Sequence, residues 1–194
     1  MDSAVVHPNQ AAALESLSAA IDGMFTAGLA PTNGADATAM VRELESLSSR
    51  IEAAKVDLLD AVDIRGLYGR DGHVSAKAMV RHVAKLSNPV ATRRQRTARS
   101  MRYMPVTQAA FRYGRIGSCQ THRLALAHAN PRARDAVIDN EGAFATIAAK
   151  KGYGYFDAKV SDFVDRIDAD GTRDTNQRSH ENRDAKLVQD FDKA

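Results

Sequence analysis

Apolar residues recur at alternating spacings of three and four through the first third of the chain. Leu14, Leu17, Ile21 and Met24, with Phe25 beside them, predict a helix from about Gln10 to Gly28. Ala30-Pro31-Thr32-Asn33-Gly34 breaks it. Asp36 can cap a second helix that ends near Gly66. In that helix Met40, Leu44, Leu47, Ile51, Ala54, Leu58 and Ala61 keep the alternation over three heptads. It is the longest expected element, roughly 45 Å at 1.5 Å per residue. A stripe this narrow suits coiled-coil packing. It can be covered by the first helix, folded back as an antiparallel hairpin over residues 10–66, or by a second copy of the chain. The hairpin is the preferred reading; the first helix is the shorter and leaves part of the stripe bare.

Beyond Gly66 the pattern shortens. The glycine-punctuated segment Gly66–His73 reads as a turn, and no Gly-Lys-Ser/Thr follows to make it a phosphate loop. Ser75 can cap a helix carrying Ala78, Met79 and Val83. Leu86-Ser87 forms a tight junction, and Asn88 then caps a helix to about Tyr103 with Pro89 in its first turn. Short helices follow: Val106–Tyr113 ending at Gly114, one capped by Ser118 and carrying Leu124, Leu126 and Ala127, one opened by Pro131, and Glu141–Lys150. Phe156–Ile167 closes the series, with Val160, Phe163 and Val164 inward. The expected fold is all-α, a long N-terminal hairpin followed by a bundle of short helices. Residues 1–167 form the helical domain, with a basic short-helix region over 74–167. Residues 168–186 read as a polar linker, and Leu187–Ala194, where Phe191 has nothing beyond it to bury it, as the start of a further region absent from the chain.

Charge changes the picture in the middle of the chain. Residues 61–134 hold 15 Lys/Arg against 2 Asp/Glu, a balance of +13, whereas 1–60 stand at −6 and 135–194 at −4. The net +3 conceals this segregation, and phosphate affinity follows local neutralisation rather than whole-chain charge. The pair Ser75–Lys85 and Asn88–Tyr103 has the length and turn of a helix-turn-helix. Its second helix carries Arg93, Arg94, Arg96, Arg99 and Arg102 and no acid. On a helical wheel Val90, Ala98 and Met101 mark the inner side. Arg93, Arg96, Arg99 and Arg102 sweep the rest and are the candidate DNA contacts, with Arg94 near the apolar edge. Guanidinium groups pair bidentately with phosphates and guanine edges, so the composition suits duplex DNA. The competing reading pairs these arginines with the acidic N-terminal helices.

Catalytic and metal chemistry finds little support. His73 and His82, and His122 and His128, lack the i, i+4 spacing of helical metal ligands. Asp168-Ala169-Asp170-Gly171 fails as a calcium loop, because Arg166 and Gln177 fall at its first and twelfth positions. His180 and Asn182 make no nuclease motif alone, and no nucleophile elbow occurs. No catalytic residue, metal ligand or cofactor is assigned. The single cysteine, Cys119, reads as a small packing residue in a reducing compartment. With no signal sequence and no apolar run of membrane length, a cytoplasmic location without membrane contact is expected.

The run Arg50-Ile51-Glu52-Ala53-Ala54-Lys55-Val56-Asp57-Leu58-Leu59-Asp60-Ala61-Val62-Asp63-Ile64-Arg65-Gly66-Leu67 is followed by Asp71-Gly72-His73-Val74-Ser75, Leu86-Ser87, the arginine helix, Pro105 and Gly114-Arg115-Ile116-Gly117-Ser118. This pattern resembles the helical domain of unknown function found in actinobacterial repeat-family proteins, mycobacterial ones among them, over most of residues 40–167. Ala78-Met79 stands where that family usually has a small residue and Trp. The resemblance implies a domain that precedes an HNH endonuclease module, with the metal-binding His and Asn residues outside this chain. Two functions are therefore expected to compete. One is a DNA-associating helical domain of an HNH-endonuclease-like protein, which does not itself cut. The other is a protein-interaction or homodimerisation module built on the helix 36–66, without direct DNA binding.

Overall fold

Every regular element is helical in a computed structural model of the protein, which describes residues 6–169. The helices are α1 (Pro8–Ala27), α2 (Gly34–Arg65), α3 (Ala76–Val83), α4 (Asn88–Met101), α5 (Pro105–Arg112), α6 (Ser118–Ala129), α7 (Arg134–Asp139), α8 (Glu141–Lys150) and α9 (Tyr153–Ile167), with a 3₁₀ turn, Leu67–Asp71, after α2. No strand occurs among the described residues, so the fold is all-α. None of these helices is long and apolar enough to cross a membrane. Apart from Asp168 and Ala169, the expected linker lies outside the described residues, as do His180, Asn182 and Phe191.

The described chain divides into two compact units, one up to Glu43 and one from Leu44 onward. In the first, Pro8 opens α1 and Gly28 closes it at φ 85°. No residue of α1 is buried, and Leu14, Leu17, Ile21 and Phe25 all stand exposed. The buried stripe expected of a hairpin is therefore not what α1 presents. Asn33 rather than Asp36 caps α2: its Oδ1 accepts from the Asp36 N–H at 3.0 Å, while Asp36 Oδ2 accepts from the Thr32 N–H at 2.9 Å.

The second unit corrects the expected seam. The residues that α2 buries are Ser49, Ala53, Val56, Leu59 and Val62. Leu44 is 37% exposed and Leu58 67%, with Leu47 between them in exposure. At 3.6 residues per turn the two rows lie on roughly opposite sides of the helix. α2 thus turns Ser49, Ala53, two valines and Leu59 toward the core and leaves Leu44, Leu47 and Leu58 outside. The close approach this allows is visible at Gly114, which ends α5 at φ 68°. A Cβ there would lie 2.4 Å from Ser46 Oγ and 2.6 Å from the Ser46 carbonyl oxygen.

Around α2 the short helices close a core of Met101, Met104, Phe111, Leu124, Val137, Phe156 and Val160, all fully buried. α6 occupies its middle and packs on α4, α9, α7 and α5. Ala98 and Met101 face inward as the wheel of α4 requires, but Val90 remains partly exposed. Leu126 and Cys119 are also outside the core. Gly117 rather than Ser118 is the α6 cap, with its N–H donating to Gln120 Oε1 at 3.1 Å. Pro131 belongs to the turn before α7 rather than opening it. At the junction between α3 and α4, Ser87 rather than Asn88 takes the cap position of α4, and α3 ends at Val83, short of Lys85. Ser75 Oγ accepts from the Ala78 N–H, and the helix ends with Leu86 N–H bonded to the Arg81 carbonyl at 3.0 Å. Lys85 supplies the left-handed residue of that motif at φ 51°, a conformation glycine ordinarily fills.

Candidate nucleic-acid interface

The acids of α2 flank its buried row and meet the arginines of α4 and α5. Asp63 accepts from Arg99 Nε at 2.9 Å and Nη2 at 3.1 Å, and from Arg102 Nη2 at 3.0 Å. Arg102 Nε reaches Asp60 as well. Arg94 pairs with Glu52 at 3.3 Å. Asp57 accepts from Arg112 Nε at 2.7 Å and from Gln108 Nε2 at 2.8 Å. The ladder perturbs its own members. The hydrogen bond from Arg99 and the two guanidinium charges hold the Asp63 carboxyl below its usual value, against burial, which raises it. Hydrogen bonding to Asp63 raises Arg99 in turn.

Of the four candidate contacts, Arg99 and Arg102 are therefore engaged within the fold, and Arg94 joins them. Arg93 and Arg96 stand apart, since among the described residues no carboxylate lies within ion-pair distance of either. Arg93 is exposed and Arg96 half-buried. Both are near His122 on α6. Burial lowers the His122 pKa, and the charges of Arg93, Arg96 and Arg123 lower it further, so the imidazole is neutral at pH 7. Arg93, Arg94, Ser118 and His122 line a small pocket of about 110 Å³ between α4 and the start of α6, with Glu52 on its wall. On the preceding helix and its turn, Arg81 and Lys85 are exposed and form no ion pair among the described residues.

The fold also assembles groups that sequence spacing keeps apart. His73 and His82 meet edge to face at 5.3 Å, nine positions apart in the chain. His122 and His128 enter the walls of pockets against α4, where their six-residue spacing carried no signal. Among the described residues no group of three His, Cys, Asp or Glu side chains is placed to hold a metal ion.

No curated protein and no solved structure matches the chain. A family model does: the one described as "Domain of unknown function (DUF222)" matches residues 38–192, which is most of the sequence, and the chain belongs to that family.

Proposed function

We propose that this domain associates with duplex DNA through α4, with Arg93 and Arg96 as its principal phosphate contacts. The observation that carries the reading is the division of labour among the α4 arginines. Three are neutralised by α2, and two remain cationic beside a neutral imidazole. An unpaired guanidinium gives up less on meeting a phosphate than one that must first leave a carboxylate. In this reading α3 and α4 act as a helix-turn-helix pair, and Arg81 and Lys85 add positive charge on the α3 side. The resemblance to domains that precede an HNH endonuclease module supplies the setting: this part holds the duplex, and cutting is the work of a module outside it.

Fluorescence anisotropy on duplex DNA at several salt concentrations tests the assignment. Replacing Arg93 and Arg96 together with Ala is expected to weaken binding to all sequences and to flatten the salt slope by about two units, at roughly 0.9 per phosphate. Circular dichroism checks that the variant is folded. Unchanged affinity and slope in a folded variant remove the assignment.

A second reading rests on the exposed row of α2. Leu44, Leu47 and Leu58 lie at heptad spacing on the side away from the bundle, which favours an interaction or homodimerisation module. Sedimentation equilibrium decides it. A stable dimer that Leu47→Asp dissociates, with no DNA affinity at moderate salt, puts this reading first.

A further inference from the structure

A second, larger groove runs between the C-terminal half of α4 and the α6–α7 turn. It encloses about 570 Å³, within the range of small-molecule sites. Arg96, Arg99 and Arg134 line it against one acid, Asp135. Thr92, Gln95 and Ser100 add neutral polar groups, and Tyr103 and His128 an aromatic wall. The groove is thus cationic, polar along one side and aromatic along the other.

Two of its members are unusual for a plain surface. His128 is only 7% exposed. Its Nδ1 lies 3.1 Å from Ser100 Oγ, but its Nε2 is buried and meets no hydrogen-bond partner among the described residues. Burial, and then the charge of Arg134, depress its pKa against the opposing pull of Asp135, so the ring is neutral at pH 7. An orphaned buried nitrogen is costly unless something satisfies it. Over this ring lies Tyr103, stacked at 5.4 Å between centroids with planes 22° apart. Tyr103 is itself 56% exposed, so it has surface free for a second planar group.

We propose that this groove is a nucleotide site, taking a nucleoside monophosphate or the equivalent terminal nucleotide of a strand. The base stacks on Tyr103, and Arg96 and Arg134 hold the phosphate. The aromatic wall is what selects a nucleotide over a simple anion, since every base offers a π-face. The arginines make the phosphate the polar anchor. Gln95 and Thr92 lie along the wall as donors and acceptors for a base edge. Tilting of the Tyr103 ring as the base stacks opens the His128 Nε2 beneath it to the ligand or to a water. The site shares Arg96 with the proposed duplex contacts but does not require duplex binding.

The test titrates the 194-residue chain with 2′-deoxyadenosine monophosphate, deoxyadenosine, inorganic phosphate and citrate by calorimetry. Ring ¹⁵N spectra of the histidines are followed in parallel. The monophosphate is expected to bind with one-to-one saturation, about tenfold or more tightly than either half of it. The His128 Nε2 signal is expected to move with the same isotherm. Tyr103→Leu is expected to weaken the monophosphate about tenfold while leaving the salt slope of duplex binding unchanged. Arg96→Ala should weaken both the monophosphate and inorganic phosphate. Nucleotide binding in a chain that ignores duplex DNA keeps this site and removes the duplex reading. A monophosphate that binds no better than phosphate or citrate, or a folded Tyr103→Leu variant that binds it like the parent, overturns the proposal.

Discussion

Replacing Asp63 with Asn separates what holds α4 in place from what leaves it free to meet an anion. Asp63 receives three hydrogen bonds from two guanidiniums, and its side chain is 11% exposed. The Arg99 side chain is 56% exposed, so water screens much of that pair, which contributes about 0.5–1 kcal/mol. The bond from the less exposed Arg102 is charge-assisted and contributes about 1 kcal/mol. Arg102 keeps Asp60 in the variant. The expected loss at neutral pH is about 1–2 kcal/mol, roughly 3–6 °C in melting temperature for a domain of this size. Its pH dependence follows from the direction of the Asp63 shift. The folded carboxyl titrates below its unfolded value of about 3.9, so its contribution is complete above that value and vanishes as pH falls through the folded one. Parent and variant should therefore melt apart at pH 7 and converge in strong acid. Urea denaturation followed by circular dichroism at pH 7, 5 and 3 measures both effects. Under the duplex reading the variant also frees Arg99, so DNA affinity rises and the salt slope steepens by about one unit. A variant as stable as the parent at pH 7 refutes the structural role of the ladder. A gap undiminished at pH 3 refutes charge as its cause.

Gly114→Ala forces a left-handed alanine whose Cβ meets the Ser46 carbonyl, which cannot swing aside. A loss of about 2–4 kcal/mol in urea melts is expected, and a loss under about 0.5 kcal/mol would show that α2 yields easily. Buried Glu141 accepts from the N–H groups of Val106 at 3.2 Å and Thr107 at 3.0 Å, capping α5 from α8. Glu141→Ala should cost about 2–3 kcal/mol, with Glu141→Gln recovering part of it. Leu58→Asp, on the exposed row, should leave monomer stability within about 0.5 kcal/mol of the parent; a loss of several kcal/mol in a chain shown to be monomeric would return Leu58 to a buried seam.

The α-helical class and most element boundaries were legible because they depend on local signals. Glu141–Lys150 and the Ser75 cap follow from spacing and capping chemistry alone. The face that α2 buries was not legible for a physical reason. Heptad leucines are the strongest apolar signal in the sequence, yet close helix packing in this bundle needs small residues, and Ser49 and Ala53 supply them. The partners of the arginines were half legible. The acids were visible as a count, but Asp63 and Arg99 are 36 residues apart, and only the docking of α4 on α2 makes them a pair. His122 and His128 were hidden likewise, because their environment comes from α4 and from the turn after it.

This docking also changes what the basic block is worth. Counted along the chain, α4 and the Arg102 that caps its end offer five arginines, and a ligand neutralising all of them would give a salt slope of about 4.5. Counted in space, Arg94, Arg99 and Arg102 already face carboxylates at hydrogen-bond distance. A pair that close is nearly neutral to a phosphate beyond a Debye length of about 8–10 Å. The contribution of α4 to the slope is then that of Arg93 and Arg96, about 2. Additional cations on α3 raise the parent value, but the share removed by Arg93→Ala and Arg96→Ala stays near 2. Arg99→Ala, by contrast, should leave the slope as it is and cost only the stability of its bond to Asp63. A slope that falls by about one unit for each of the five arginines would mean that the ladder opens when DNA binds, with α2 surrendering its arginines to phosphate. Anisotropy on the five single variants, with melts of each, distinguishes a fixed ladder from one that opens.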